Sequence, residues 1–417
     1  MLVFLSDVHF TDGTSGETIK SAAFSVFSEN LKKLIESVKN NPVQEIKVAL
    51  LGDIFDLIRS TEWLAGAVRP WDPVGPEQEA VVLKILQGII NNNEKSIEYL
   101  RSLEALAGQM AGGFRTTYVI GNHDWLINRY ASCRDLVAGS LGITQGKDPF
   151  PTELFEPDYS VFARHGDIYD KFNHRGNRDD SSVGDAVVIE LLNKFPEEVR
   201  KGLKESNPIP GTEQDNIVRL LKELDNIRPL LDAPSWVLMV MNRVENTHVR
   251  RIIEETWTRC VDDLFEIPFI KKMDVPFWPD AIDQLEAALH LSSRISKFIL
   301  EDIADMLKRF MPGAGDQEYA KHALAEPKVR SREASYVLYG HTHDHLIIPL
   351  DQAPTGSGAT HDKIYFNTGT WRKTWNKVAY DPANREFIGW HVLTYVSVFK
   401  PSENGDYAFE VWNGALG

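Results

Sequence analysis

Leu50-Leu51-Gly52-Asp53-Ile54-Phe55-Asp56, residues 50–56, is the stretch that decides the fold of this 417-residue chain. The apolar run from Ile46 to Leu51 predicts a buried strand, and a glycine and an aspartate follow it. Gly52 lets the backbone turn without a clash from a Cβ, so the Asp53 carboxylate can project from the C-terminal end of the strand. In open α/β sheets, binding sites form at that end of the strands.

Four further stretches bring candidate metal ligands to the ends of predicted strands. Each follows a short apolar run and offers carboxylate, amide or imidazole groups. Because a carboxylate has two oxygens, it can bridge two cations, and Asp53 is predicted to be that bridge. The four stretches are Ser6-Asp7-Val8-His9, Gly121-Asn122-His123-Asp124, Arg164-His165-Gly166-Asp167 and Gly340-His341-Thr342-His343.

The composition is that of an ordinary globular protein, with 43% hydrophobic and 25% charged residues. The formal net charge is −15, from 60 acidic and 45 basic residues, so the chain as a whole repels polyanions and nucleic acid is not expected as a substrate. Two cysteines, Cys133 and Cys260, predict no disulfide framework and fit a reducing compartment. The sequence shows neither a secretory signal nor a transmembrane segment, so we expect a cytoplasmic location.

The order of the predicted elements indicates an α/β fold with a large insertion. Strands at Leu2 to Leu5 and at Ile46 to Leu51 flank a helix, which predicts parallel pairing of the two strands. From about Val183 to Phe310 the chain shows only helical patterns, and after Ser335 closely spaced strand patterns indicate an antiparallel set and a second sheet. The predicted helices of the insertion are Val187 to Phe195, Asn216 to Leu224, Trp236 to Leu264 and Ala281 to Lys308.

The five motifs, in this order, resemble the calcineurin-like metallophosphoesterase superfamily. The pattern is Asp-x-His, Gly-Asp-x-x-Asp, Gly-Asn-His-Asp, a lone His and Gly-His-x-His, and it covers residues 1–170 and 335–372. The His-Gly-Asp form at His165 is similar to the branch of UDP-2,3-diacylglucosamine hydrolases, which often has Arg at the position of His123. The resemblance implies a two-sheet αββα sandwich formed by residues 1–170 and 335–417, with residues 171–334 as a helical cap.

The resemblance also implies a centre of two divalent metal ions, with manganese expected first and iron or zinc as alternatives. The ligand types agree independently, because carboxylate, amide and imidazole groups without thiolates suit these ions and argue against a structural zinc. A hydroxide that bridges the two ions would attack phosphorus in a phosphate ester or anhydride. The implied ligands are Asp7, His9, Asp53 and His343 for one ion, and Asp53, Asn122, His165 and His341 for the other.

His123 and Asp56 are the predicted catalytic residues. His123 adjoins the ligand Asn122, so it should face the same cavity and donate to a phosphate oxygen or protonate the leaving alkoxide. Asp56 is, by the resemblance, the carboxylate partner that sets the tautomer of His123 and raises its pKa. The alternative for Asp56 is a carboxylate that caps a turn.

Arg175, Arg178 and Asn122 are the predicted substrate-binding residues. The segment from Lys171 to Arg178 leaves the His165 loop and carries three basic residues, which suit a second phosphate or a carboxylate of the substrate. The alternative is a solvated connector.

Two further regions each allow two interpretations. The aromatic loop from Ile58 to Pro76 either walls the site or packs on its own tryptophans. The apolar segment from Ile267 to Trp278 either lines a pocket or packs inside the helical cap. Arg372 is a further candidate for a phosphate contact.

The sequence therefore favours a metal-dependent hydrolase of a phosphorylated small molecule, with the helical cap selecting the substrate. One alternative is a nuclease of the same superfamily, against which the charge of −15 counts. The other is a scaffold without activity, against which the complete ligand set counts. The physiological substrate and the oligomeric state stay open.

Overall fold

The computed structural model describes residues 1–37, 43, 45–110, 113–143, 148–228, 232–273, 282, 286, 289, 316–354, 360–378, 386–403 and 407–416. Two sequence predictions fall largely outside these described residues. The predicted helix from Ala281 to Lys308 lies outside the described residues except at three isolated positions, and the aromatic residues from Val275 to Trp278 lie outside them altogether.

A seven-stranded mixed sheet forms the first layer of the fold. Its first three strands run parallel, as predicted for the two strands that flank the first helix. The long strand β11 runs antiparallel to β1 at Val396 to Val398 and to β10 at Phe387 to His391. In spatial order the strands are β3 (Phe114–Val119), β2 (Ile46–Leu51), β1 (Leu2–Leu5), β11 (Phe387–Val398), β10 (Lys373–Lys377) and β6 (Ile227–Arg228), with β12 (Phe409–Leu416) paired to β11.

A five-stranded sheet forms the second layer. Its three central strands are parallel, and its two edge strands are antiparallel to their neighbours. The antiparallel set expected after Ser335 is present in the pairs β8–β9, β10–β11 and β11–β12, but β7 pairs parallel with β9, and β10 to β12 join the first sheet. In spatial order the strands are β4 (Glu153–Glu156), β5 (Val161–Arg164), β7 (Tyr336–Tyr339), β9 (Thr360–Thr368) and β8 (His345–Pro354).

The two sheets pack face to face, with helices on their outer faces. Alternation along β1 directs Leu2 and Phe4 towards the second sheet, where they meet Leu338 and Phe366 in one apolar layer. Val3 and Leu5 point the other way, into a core covered by helices. Apolar residues of the last two helices cover the opposite face of the second sheet. The layers therefore follow the order helix, sheet, sheet, helix.

The helices lie in the two outer layers and in the segment between β5 and β7. The second and third helices are separated at Asn93, because α2 ends at Asn92 and α3 begins at Glu94. The helices are α1 (Ser21–Ser37), α2 (Pro76–Asn92), α3 (Glu94–Met110), α4 (Leu126–Arg129), α5 (Ala131–Leu141), α6 (Val183–Val187), α7 (Lys194–Ser206), α8 (Gly211–Lys222), α9 (Ala233–Arg243), α10 (Thr247–Glu266), α11 (Pro268–Met273), α12 (Asp316–Ala325) and α13 (Pro327–Arg330).

The segment between β5 and β7 is helical, with two departures from the prediction. The single helix expected from Trp236 to Leu264 is two helices, because the side chain of Asn246 accepts from the backbone amides that begin α10. A strand also appears where only helices were expected: β6 has two residues and pairs with β10. A two-residue run carries no periodicity from which a strand could be predicted.

The helical segment packs directly on the first sheet. The ring of Trp236 lies 4.9 Å from that of Trp375 and 5.2 Å from that of Phe387, and both partners belong to the sheet. In the aromatic loop after β2, Trp63 is buried and Trp71 stacks on Phe269 at 4.8 Å. The loop therefore packs between the α/β part and the helical segment. Among the described helices, none is both long and apolar enough to cross a bilayer.

Candidate metal centre

The loops that follow five strands meet at one edge of the sandwich and bring together imidazole and carboxylate groups. Those strands are β1, β2, β3, β5 and β7, the ones whose C-terminal ends carry the five motifs. The candidate ligand atoms form three overlapping groups, and within each group they lie within 4.8 Å of one another. The groups are Asp7 with His9 and His343, His9 with Asp53 and His123, and Asp53 with His165 and His341.

Asp53 lies between two halves of this cluster, one with His9 and His343 and the other with His165 and His341. Its Oδ2 atom is 3.1 Å from Nε2 of His165 and 3.9 Å from Nε2 of His9. Its Oδ1 atom accepts a hydrogen bond from the backbone amide of His123 at 2.8 Å. One carboxylate oxygen therefore faces both halves, a position from which the carboxylate can bridge two cations.

Three of the four predicted histidine ligands direct one ring nitrogen to an oxygen acceptor outside the cluster. An acceptor there holds the proton on that nitrogen and leaves the other nitrogen with a free lone pair that faces the cluster. This is the usual arrangement around metal-binding histidines. The three contacts are His9 Nδ1 to Asp56 at 2.8 Å, His165 Nδ1 to the carbonyl of Leu51 at 2.9 Å, and His341 Nε2 to Asp170 at 3.1 Å.

Asn122 completes a set of converging acceptors. Its Oδ1 atom is 3.1 Å from Nε2 of His165 and 3.0 Å from Nδ1 of His341, which are the two nitrogens that face the cluster. With Asp53 beside them, these atoms repel one another unless positive charge lies between them. A divalent cation with oxygen and imidazole ligands fits that requirement.

His165 shows how strongly the cluster attracts positive charge. Burial disfavours its imidazolium, but the carboxylates of Asp53 and Asp7 outweigh burial and raise the pKa of His165 to about 10. A proton therefore takes the cation's place at neutral pH, and a metal ion must displace it.

We expect metal binding at this cluster to release protons. Because His165 must lose its proton to become a ligand, the apparent affinity for Mn²⁺ should rise as the pH increases towards about 10. Titrations with Mn²⁺ in buffers of different ionisation enthalpy would count the protons released. An affinity that does not change between weakly acidic and weakly alkaline pH would contradict the assignment of His165 as a ligand.

The backbone is strained at the same residues. Among the described residues other than glycine, eight have a positive φ angle, and five of these are predicted ligands. Such conformations cost about 1–3 kcal/mol each and persist mainly where function requires them. The five are Asp7 (52°), His9 (51°), Asp53 (54°), His341 (73°) and His343 (65°).

Two glycines make this close packing feasible. Gly52 has φ of 84°, and a Cβ there would lie 2.5 Å from Nδ1 of His165. A Cβ on Gly340 would collide with the carboxylate of Asp7 and with Ser6. Both motifs therefore need glycine next to the ligand, because any side chain would displace a ligand of the neighbouring loop.

His123 and Asp56 are in contact, as the sequence predicts. Nδ1 of His123 lies 2.8 Å from Oδ1 of Asp56. Burial opposes the imidazolium, yet the charges of Asp56 and Asp53 raise the pKa of His123 to about 10. Burial also opposes ionisation of Asp56, but its contacts with His123 and His9 hold its pKa well below the usual value. The second contact of Asp56, with His9, escaped the sequence analysis.

Asp124 organises the loop that carries Asn122 and His123. Its carboxylate accepts hydrogen bonds from the amides of Gly121 (2.7 Å) and Ile54 (3.1 Å) and from the hydroxyl of Tyr118 (2.6 Å). Burial and the neighbouring charge of Asp53 raise the pKa of Asp124 to about 6. Asp124 therefore ties the loops after β2 and β3 together rather than facing the cluster.

The predicted substrate-binding arginines have partners of their own. Arg178 forms a two-pronged ion pair with the buried carboxylate of Asp167, and it lines a small cavity together with Asn122. Arg175 lies 6.0 Å from the ring of Phe269. Arg372 is buried against Asp225 and Asn226. Arg178 thus borders a cavity that it shares with the predicted ligand Asn122.

No protein-family model matches this chain, and no curated protein matches it. The residues and their geometry are therefore the basis for any functional assignment.

Proposed function

We propose that this protein is a hydrolase of phosphate esters or anhydrides that depends on two divalent metal ions, as in the calcineurin-like metallophosphoesterases. The convergence of carboxylate, amide and imidazole acceptors around Asp53 is the observation that supports this proposal most strongly. Asp7, His9, Asp53 and His343 would hold one ion, and Asp53, Asn122, His165 and His341 the other.

The chemistry of these ligands favours manganese, with iron or zinc as alternatives. The set contains oxygen and imidazole ligands, and neither Cys133 nor Cys260, both buried, belongs to it. When bound, such ions polarise phosphoryl oxygens and lower the pKa of water. The residues of the chain then have to orient the substrate and handle protons.

His123 is the proposed proton donor. Asp56 holds its Nδ1–H, so Nε2 is the atom left to donate to the leaving oxygen of the ester. The side chain is 16% exposed, whereas His9 and His165 are fully buried, so a substrate can approach it from solvent. Asp56 acts through His123 and His9 and is a positioning residue for both.

One preparation of the protein tests this function. Chelated protein is reloaded with Mn²⁺, Fe²⁺ or Zn²⁺, and metal content is measured together with hydrolysis of p-nitrophenyl phosphate. p-Nitrophenyl acetate serves as the matched carbon ester with the same leaving group. We expect hydrolysis of the phosphate ester that depends on added metal, with little hydrolysis of the acetate.

Two results would contradict the proposal. Protein that binds no metal would remove the proposed centre. Protein that binds metal but hydrolyses no member of a library of phosphate esters, diesters and anhydrides would be a metal-binding scaffold instead.

A further inference from the structure

Arg228 reaches the candidate metal centre from the helical segment. It is the second residue of β6, and its Nη1 donates to the carbonyls of Asp225 (2.9 Å) and Ile227 (2.8 Å). Its Nε and Nη2 atoms lie 3.2 Å and 2.8 Å from Nδ1 of His343. One edge of the guanidinium is thus anchored on the backbone, and the other edge points at a predicted metal ligand.

The carboxylate nearest to Arg228 is already occupied. Asp225 pairs with Arg59 at 2.7 Å and with Arg372. Within the described part of the chain, Arg228 makes no ion pair with a carboxylate. As an arginine, it carries a positive charge at neutral pH.

Three guanidinium groups, those of Arg59, Arg228 and Arg372, lie around the carboxylate of Asp225. Arg59 is only 1% exposed, and its guanidinium nitrogens make no aligned hydrogen bond with any described residue. The carboxylates of Asp56 and Glu223 also act on Arg59, and that of Asp344 acts on Arg228, so the contact of Arg228 with His343 is the feature that points to an anion next to the centre.

Metal binding by His343 would leave the Nε and Nη2 groups of Arg228 without their present acceptor. If Nε2 of His343 becomes a metal ligand, the proton of the neutral ring stays on Nδ1. That nitrogen then no longer accepts hydrogen bonds, and the Nε–H and Nη2–H groups of Arg228 need another acceptor. The parallel donors of an arginine match two oxygens of a phosphate.

We propose that Arg228 binds a phosphoryl oxygen of the substrate and thereby favours phosphate monoesters over diesters. A two-metal centre engages two phosphoryl oxygens. A monoester has a third non-bridging oxygen for Arg228, whereas in a diester that position carries a second ester group. This inference rests on the proposed function and names its substrate class.

Binding of inorganic phosphate to the metal-loaded protein tests this inference without turnover. We expect Arg228→Ala to weaken phosphate binding, measured by calorimetry, by about 10- to 100-fold, the usual effect of losing a charged hydrogen bond. Arg228→Lys should recover part of the loss, because it keeps the charge but not the paired donors. Unchanged phosphate affinity in both variants would overturn the proposal.

Two ester substrates then test the selectivity. For Arg228→Ala, kcat/KM for p-nitrophenyl phosphate should fall by about 10- to 100-fold, and that for bis(p-nitrophenyl) phosphate by less than about 3-fold. Arg243→Ala is the matched control, because Arg243 lies in the same segment but is half exposed and pairs with Glu386. Metal content and melting temperature should match the wild type in all variants.

The outcomes separate this inference from the proposed function. Equal losses on both esters, or loss of metal from Arg228→Lys, would make Arg228 a structural residue and overturn the inference. If the wild type hydrolyses neither ester nor any member of the library of esters, diesters and anhydrides, the proposed function fails, while phosphate binding that depends on Arg228 would still support an anion site at this position.

Discussion

Asp53→Asn should lose both bound metal ions and nearly all hydrolytic activity. The substitution keeps the shape of the side chain but removes the charge that faces His9 and His165. Because a metal centre contributes several kcal/mol to stabilising the transition state, we expect kcat/KM to fall on the order of 10³-fold or more. Elemental analysis and turnover of p-nitrophenyl phosphate, measured on the same preparation, check this.

A matched change elsewhere shows whether the effect is specific. Asp158→Asn makes the same chemical change at a carboxylate that is 69% exposed and pairs with Lys400. It should leave metal content and activity unaltered. Near-normal turnover with full metal occupancy in Asp53→Asn would mean that the two halves of the cluster do not share a ligand.

His123→Ala and His123→Asn should behave differently, because His123 is proposed to donate a proton rather than to hold metal. We expect both variants to keep their metal ions and to lose about 10²–10⁴ in rate, the usual contribution of a general acid. The loss should be smaller for nitrophenyl esters than for alkyl phosphates, because a good leaving group needs less protonation. Steady-state rates on a series of leaving groups measure this difference.

The pH profile gives a second measure of the same role. The active form of His123 is the imidazolium, so activity should fall as the pH rises through the pKa of His123. Asp56 and Asp53 raise that pKa to about 10, and bound cations would lower it from there. The alkaline decline should be absent in His123→Asn.

An equal rate loss on nitrophenyl and alkyl phosphates would remove the proton-donor role and leave charge stabilisation only. His248→Asn, on the exposed start of α10, is the control.

The cluster could be predicted from the sequence because its geometry follows from local rules. Each motif comes directly after an apolar run, and β1, β2 and β3 are parallel neighbours, so their C-terminal ends meet at one edge. The contact between His123 and Asp56 was implied by the resemblance to the metallophosphoesterases, and both residues lie a few positions beyond such strands.

The sequence patterns do not predict which residues far away in the chain contact the cluster. Arg228 lies 115 positions from His343 and enters through a strand of only two residues. Asp170 lies 171 positions from His341, and nothing in its local pattern indicates their contact. The pairing of β10 to β12 with the first sheet likewise depends on long-range register, which periodicity does not encode.

Electron paramagnetic resonance of the protein loaded with two equivalents of Mn²⁺ tests the central claim most directly. Ions that share the Asp53 carboxylate are close enough for their spins to couple. We therefore expect the signal of isolated Mn²⁺ to be replaced by that of a coupled pair, and the coupling to be absent in Asp53→Asn. A wild-type spectrum that accounts for all bound Mn²⁺ as isolated ions would contradict a centre built around Asp53.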